Sequence, residues 1–504
     1  MLMHQLLQNG ADRHPDKLAL RWVDRNVSTT YAQSVANMEH MAGALTHLGV
    51  KPGDRVTLVA HNGMDYLNAL FGIWRVGAIA ALVNVKFAHQ LAEYFADHTP
   101  SVIIYTHDLG VEVRAAAKLT SSVRHLVCMD GPQEGATALS ELMDARFAPG
   151  PDPRNESAIA HLSYTSGTTG KPKGACLAHE PTVRAARCIA ERLQITGDEV
   201  SFGPTALSSS YQLVGNLLPP LSVGAAVQVM GKWNQASGWQ AMDAANANIL
   251  VGNPTLLQEV LTESRLQGRA PAGLRMGLSG GGPVPTPLKK AWRNELKLPL
   301  VESFGQSELG GFMAMGFPKL EHDNQRLLRV GPALPDKEVW IADTVGQRLP
   351  PNATGEIVLR GGNMKEYWGL PEKTAQVLRG DELHTGDLGF MDDEGYITMR
   401  GRRSELVNVA GMDWYPRDIE DALCEHPDVE QAAMVGTPDA QLGRKPVAFV
   451  KLRAGVASSV AGLAEFLTGR TAYDTKLMDI RTIDAFPMTP TGKIAKAELA
   501  QSIA

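Results

Sequence analysis

Residues 162–175 read LSYTSGTTGKPKGA. Glycines at 167, 170 and 174 let the backbone curl until several N–H groups point inward, which makes an anion-binding nest. Thr165, Ser166, Thr168 and Thr169 add hydroxyl donors, and Lys171 and Lys173 add positive charge. Polyphosphate is the guest such a run suits. It is not the loop of the P-loop NTPases, which needs four residues between its first glycine and a Gly-Lys-Ser/Thr. Here Gly167 is followed by Thr-Thr-Gly-Lys-Pro, and Pro172 blocks a helix continuing from the lysine. Taken alone, the run would also suit a surface loop.

The elements that must position it belong to a large chain. At 504 residues the sequence exceeds what one hydrophobic core supports, so at least two domains are expected. With 44% apolar and 20% charged residues it has the composition of a soluble globular protein. A net charge of −6 gives no electrostatic case for nucleic acid or an anionic membrane as partner. Cys128, Cys176, Cys188 and Cys424 are scattered and form no CxxC pair, which fits a reduced, cytoplasmic compartment better than a disulfide framework or zinc site. The first residues show no basic start followed by an apolar core, so no signal peptide is expected. The apolar stretch 66–84 is broken by Arg75 and two glycines, and reads as a buried helix and strand rather than a membrane span.

The first part of the chain alternates helix and strand patterns. Val35, Met38, Met41, Ala42 and Leu45 share one helical face, and short apolar runs recur at 56–60, 78–85 and 102–105. Strands alternating with helices imply a largely parallel α/β sheet. Residues 337–400 differ: β-rich runs at Glu338–Ala342, Gly355–Arg360 and 395–400 are split by Gly, Pro and Asp, as in a small antiparallel unit. Beyond Gly401, a helix at 417–425, strands at 432–435 and 447–452, a helix near 460–468 and a strand near 480–485 suggest a compact α+β domain. The expected class is therefore α/β: a large multi-layer N-terminal domain, 1–401, and a small mobile α+β domain, 402–504.

YTSGTTGKPKG at 164–174 resembles the phosphate loop of the adenylate-forming superfamily, which includes acyl- and aryl-CoA ligases, adenylation domains of peptide synthetases and firefly luciferase. SGGGP at 279–283, ESFGQSE at 302–308, ELHTGD at 382–387, GRRSELVNVAGMDWYPRDIE at 401–420 and TPTGKI at 489–494 match in the same order. The resemblance runs from about residue 15 to the C-terminus. It implies that a carboxylate attacks the α-phosphate of ATP, pyrophosphate leaves, and a thiol then displaces AMP. Joining two anions demands charge neutralisation in the transition state.

The resemblance also implies roles. Glu308 would hold Mg²⁺, with Thr165 as the second metal and catalytic residue of the phosphate loop. Thr165, Ser166, Gly167, Thr168, Thr169 and Lys173 would hold the phosphates, and Ser307 keeps the hydroxyl where threonine is more usual. Phe304 would stack on adenine with Gly281, Gly282 and Pro283 on its other face, and Glu302 would meet the adenine edge. Ser303 and Gly305 complete that wall. Asp387 would take the ribose hydroxyls beside Arg402. Lys493 would bridge the substrate carboxylate and the α-phosphate. The small domain would turn at Ser404, bringing Gly411 to line the CoA arm. Ser209, Tyr211, Trp233, Asn253, Gly280, Gly281 and Gly311 would line the acid pocket. None of these is cationic, which favours a fatty or aryl monocarboxylic acid.

The departures are local. Ser404 stands where Asp or Lys is usual, residues 411–414 read Gly-Met-Asp-Trp where Gly-Glu-Asn is common, and Gly443-Arg444-Lys445 replaces a Gly-Glu pair. Expected partners are a carboxylic acid, ATP, Mg²⁺ and CoA, without nucleic acid; the sequence does not fix the oligomeric state, and a homodimer is one option. Three other readings stay open: loading of a carrier-protein thiol, an acyl- or nucleotide-binding homologue that no longer turns over, and, weakest, a P-loop kinase, which would make ADP.

Overall fold

Thr30 opens a helix over Tyr31–His47: its side chain accepts from the Gln33 backbone while the Gln33 side chain answers the Thr30 backbone. Met38, Met41, Ala42 and Leu45 on this helix are buried as its periodicity requires. They pack on the helix Met64–Arg75, and the two backbones approach so closely that a Cβ on Gly72 would stand 2.4 Å from Met41 Cγ. The computed structural model describes residues 1–165, 171–453, 455–456, 458–489 and 494–503, apart from the Thr165 side chain.

Two largely parallel sheets carry the N-terminal part. A seven-stranded sheet runs in the order Thr137–Ala138, His125–Cys128, Val102–Tyr105, Arg55–Val59, Ile79–Leu82, Ile159–Thr165, Lys173–Ala178, with only the last pair antiparallel. An eight-stranded sheet has Val200–Gly203, Ile249–Gly252, Met276–Ser279 and Leu300–Phe304 side by side in parallel. The main core lies between the two and is filled by Met38, Leu45, Leu67, Trp74, Leu217 and Val227 among others. The stretch 66–84 holds most of the helix Met64–Arg75 and the strand Ile79–Leu82. Among the described residues no helix is long and apolar enough to cross a membrane.

A six-stranded sheet follows, built on the antiparallel neighbours Glu338–Ala342, Gly355–Arg360, Glu382–Met391 and Tyr396–Arg402. After Arg402 a short turn, Arg403–Glu405, leads to a separate five-stranded sheet with its own core around Trp414, Leu423, Met434 and Leu463. Its strands Val429–Asp439 and Gly443–Leu452 run longer than their apolar segments, because each continues past a continuous buried run into more exposed ends. Its last strand, Asp479–Thr482, stops short of the expected 485.

Candidate active site

In the eight-stranded sheet Gly252 pairs with Ser279, and Ser279 with Glu302, so the parallel strands end almost level. Residues 204–211, 253, 280–283 and 305–308 all follow immediately beyond those ends. Ligands of open α/β sheets bind at the carboxyl ends of strands.

Tyr211 forms the floor there. Its hydroxyl donates to the carbonyls of Leu278 at 2.8 Å and Gly252 at 3.1 Å, and its ring lies 5.6 Å from that of Phe312. Burial raises its phenol far above the usual range, so it stays a donor. Gly280 must be glycine: a Cβ would stand 2.6 Å from Ser303 Oγ and 2.7 Å from the Tyr211 ring. Ser303 Oγ donates to the Ser279 carbonyl at 3.0 Å and locks the neighbouring strand. Gly305 and Gly311 are equally close-packed, against the Gly311 carbonyl and Ala185 respectively. Gly281 and Gly282 instead border open space; Gly281, at φ +78°, adopts the left-handed backbone that favours glycine. Phe304 is half-buried beside them, and Pro283 is exposed.

Ser307 and Glu308 lie in the turn that follows Phe304. Glu308 Oε1 accepts from the Tyr367 hydroxyl at 2.6 Å, and Lys173 Nζ sits over the Tyr367 ring, 5.2 Å from its centre. Burial, and then the Glu308 charge, push the Tyr367 phenol far up, so it remains a donor. The other Glu308 oxygen has no partner among the described residues. No cluster of three or more His, Cys, Asp or Glu is placed to hold a metal among them. A carboxylate oxygen left open in this way suits Mg²⁺, which takes one or two carboxylates and completes its shell with phosphates and water.

Asp387, 4% exposed, meets Arg402 Nε at 3.2 Å and accepts from the side chain of Gln306. Strand pairing sets Asp387 directly opposite Arg402. Gln306 also donates to the Thr385 carbonyl at 2.9 Å, so it ties the 304–308 turn to the strand Glu382–Met391. Neither Gln306 nor Tyr367 was expected from sequence; Gln306 at least lies inside the 302–308 motif, whereas Tyr367 lies in none of the motifs.

On the strand Ile159–Thr165, Tyr164 donates to Asp97 at 2.7 Å and meets His98 Nδ1 at 2.8 Å, while His98 Nε2 lies 2.6 Å from Thr57 Oγ1. A neutral His98 donating to Tyr164 and accepting from Thr57 satisfies all four groups. Burial, helped by Arg55, lowers its pKa to about 3. On the next strand Cys176 is buried and its thiol is pushed up to about 12, as is that of Cys424; burial also raises Cys128 and Cys188. All four cysteines are free.

Two expected side chains face elsewhere in this structure. The Glu302 carboxylate turns into the protein, one oxygen to Lys289 and one to Arg417 Nη2 at 3.4 Å. A carboxylate only 5% exposed has to be paired. Trp233 does not line the pocket of Tyr211. It packs with Trp239, Leu256 and Val260 in a different cluster, its N–H donates to Glu259 at 2.5 Å, and Gly238 lies against its ring. Asn253 sits at the right sheet end but caps the helix Pro254–Gln267, accepting from the Leu256 backbone at 2.9 Å. Ser209 begins the turn leading into Tyr211. Gly411, at φ +87°, forms with Ala410 an exposed hairpin tip, and Ser404 is exposed between the two sheets. Ser166, Gly167, Thr168, Thr169 and Lys493 lie outside the described residues, as does the side chain of Thr165.

A family model described as AMP-binding enzyme matches residues 7–368, and one described as AMP-binding enzyme C-terminal domain matches 418–493. An indoleacetate–CoA ligase of Aromatoleum aromaticum is 30% identical, over 99% of this chain and 98% of its own. A feruloyl-CoA synthase of an Amycolatopsis species is also 30% identical, over 93% of both chains. The crystal structure of the anthranilate CoA ligase AuaEII with anthranoyl-AMP superposes with a TM-score of 0.91 at 23% identity, covering 100% of this chain and 97% of that one. With both halves matched and ATP, Mg²⁺ and CoA as its reactants, this chain belongs to the AMP-binding, adenylate-forming enzymes as an acid–CoA ligase.

Proposed function

We propose that the acid is an aryl monocarboxylic acid. The tilted pair of Tyr211 and Phe312 at the level strand ends carries this reading, since a flat ring gains most from an aromatic floor. Val251 and Leu278 belong to the same apolar cluster, and none of these side chains is cationic, so a second carboxylate would lack a partner. The two relatives named above are named for indoleacetate and feruloyl-CoA, both aromatic.

One carboxylate oxygen attacks the α-phosphorus of ATP, and the bond to pyrophosphate breaks. The CoA sulfur then attacks the acyl carbon, loses its proton, and AMP leaves. Mg²⁺, held by Glu308 and the Thr165 hydroxyl, would neutralise phosphate charge when bound. Asp387 would orient the ribose, with Arg402 and Gln306 fixing its carboxylate. Phe304 and the open backbone at Gly281–Gly282 would hold adenine. Lys493 would meet the developing charge in the first step. We assign residues 1–401 to the adenylating domain and 402–504 to a domain that turns at Ser404. An exposed residue between two independent sheets supports that hinge.

The test is pyrophosphate release with ATP and Mg²⁺ over a panel of aryl and fatty acids, with and without CoA, with the thioester identified. Turnover with aryl acids far above that with fatty acids supports the proposal, and the reverse order overturns it. Release that stops after one turnover despite CoA would point to a carrier-protein thiol.

A further inference from the structure

We propose that Tyr367 is a positioning residue that holds Glu308 for its cation and couples it to the phosphate segment through Lys173. Its hydroxyl donates to Glu308 Oε1 at 2.6 Å, and its ring face carries Lys173 Nζ at 5.2 Å. The ring is 3% exposed and sits with Ala175, Leu177 and Met364, so it has little freedom to move.

The backbone explains how residue 367 comes to lie there. Residues 364–368 run along the strand that leaves the phosphate segment. Cys176 N–H donates to the Glu366 carbonyl at 2.9 Å, Lys365 N–H to the Cys176 carbonyl at 2.9 Å, and Trp368 N–H to the Gly174 carbonyl at 2.8 Å. At the other end Met364 N–H donates to the carbonyl of Glu308 itself at 2.7 Å. Glu308 is thus held twice by one segment, at its backbone by Met364 and at its carboxylate by Tyr367. The same segment grips the strand that bears Lys173.

This arrangement does two things. Occupying Oε1 fixes the torsions of a side chain that would otherwise swing in a half-open turn, and leaves the second oxygen aimed by default. The ring face attracts the ammonium of Lys173, so the cation and the carboxylate are set at a fixed spacing instead of collapsing onto each other. Tyr367 thus stands between the Glu308 carboxylate and the Lys173 ammonium, contacting one with its hydroxyl and the other with its ring.

The inference rests on the nucleotide-binding reading, and its test separates the two. Wild type and Tyr367→Phe, each as the full chain, are titrated with Mn²⁺ in the presence of α,β-methylene-ATP, and bound Mn²⁺ is read by electron paramagnetic resonance. Binding of the analogue alone is measured in EDTA. Tyr367→Phe should weaken Mn²⁺ binding about 10-fold while metal-free analogue binding and the melting temperature stay near wild type. Tyr367→Leu, which also removes the ring, should weaken metal-free analogue binding as well. Wild-type Mn²⁺ affinity in Tyr367→Phe would overturn the proposal. So would equal losses with and without metal accompanied by a fall in melting temperature, because that pattern belongs to a structural support. Wild-type protein that binds neither the analogue nor Mn²⁺ would overturn the nucleotide reading and this proposal with it.

Discussion

Arg417 Nη2 and Glu302 Oε1 lie 3.4 Å apart, and the contact joins the helix Pro416–Cys424 of the C-terminal sheet to the strand Leu300–Phe304 of the N-terminal one. Both side chains are almost fully buried, and Lys289 faces the second oxygen of Glu302. Any turn at Ser404 would have to break this contact. Arg417→Met should therefore favour other arrangements of the two units. Glu302 keeps Lys289, so the expected loss is about 2 kcal/mol, below the roughly 3–5 kcal/mol of a fully orphaned buried charge. The check is limited trypsin digestion near residues 402–406, which should speed up in Arg417→Met and be partly restored in Arg417→Lys. An unchanged digestion rate would show that the contact does not restrain the join.

The glycines beyond the strand ends should separate fold from ligand. Gly280→Ala drives a methyl into Ser303 and Tyr211, including the Ser303 carbonyl at 3.0 Å, which cannot move aside. It should cost about 1–3 kcal/mol and raise the KM for the acid. Gly282→Ala meets nothing within 4 Å and its backbone is not left-handed. It should leave the melting temperature alone and weaken ATP. Thermal melts beside KM values for both substrates decide; a Gly282→Ala that binds ATP normally would remove that residue from the nucleotide wall.

Acid should loosen the support of the phosphate segment. His98 and His179 are buried with pKa values lowered to about 3, chiefly by desolvation, and His161 to about 4. Between those values and about 6.5 the unfolded chain binds protons that the folded chain does not, so stability falls as pH falls. Each contributes a loss of about 2 kcal/mol by pH 5. His98→Gln should be less stable than wild type at pH 8, yet lose about 2 kcal/mol less between pH 8 and 5. Urea midpoints at the two pH values measure this, and an identical pH slope in the variant would exclude His98 as a contributor.

The small domain should act differently in the two half-reactions. Lys493→Ala is expected to cut acyl-adenylate formation by about 10²-fold or more while sparing thioester formation from preformed adenylate. Ser404→Pro should do the opposite, because a fixed φ stiffens the turn. Single-turnover assays of each half-reaction test both; equal loss in both halves by Lys493→Ala would sink its role.

The motif residues were legible because each lies in a short run whose spacing is local. Asp387 and Arg402 were expected as a pair, and antiparallel pairing sets them opposite each other. The helix Tyr31–His47 and the short strands were legible from period alone. What sequence hid was direction. Glu302 sits inside a matching motif, but its carboxylate follows Lys289 and Arg417, the second of which is more than a hundred positions away. Trp233 is apolar and near pocket residues in the chain, yet sheet geometry sends it to another cluster. Tyr367 reaches Glu308 only because a backbone ladder with the strand Lys173–Ala178 brings it there. Such pairings are tertiary, and no periodicity encodes them.

The buried cysteines bear on a hazard of the chemistry itself. An acyl adenylate and an acyl thioester are both electrophiles that modify any free thiolate nearby. Cys176 stands on the strand that leaves the phosphate segment, but with a pKa of about 12 almost none of it is ionised at neutral pH. Burial thereby keeps the Cys176 thiol a poor nucleophile toward either electrophile.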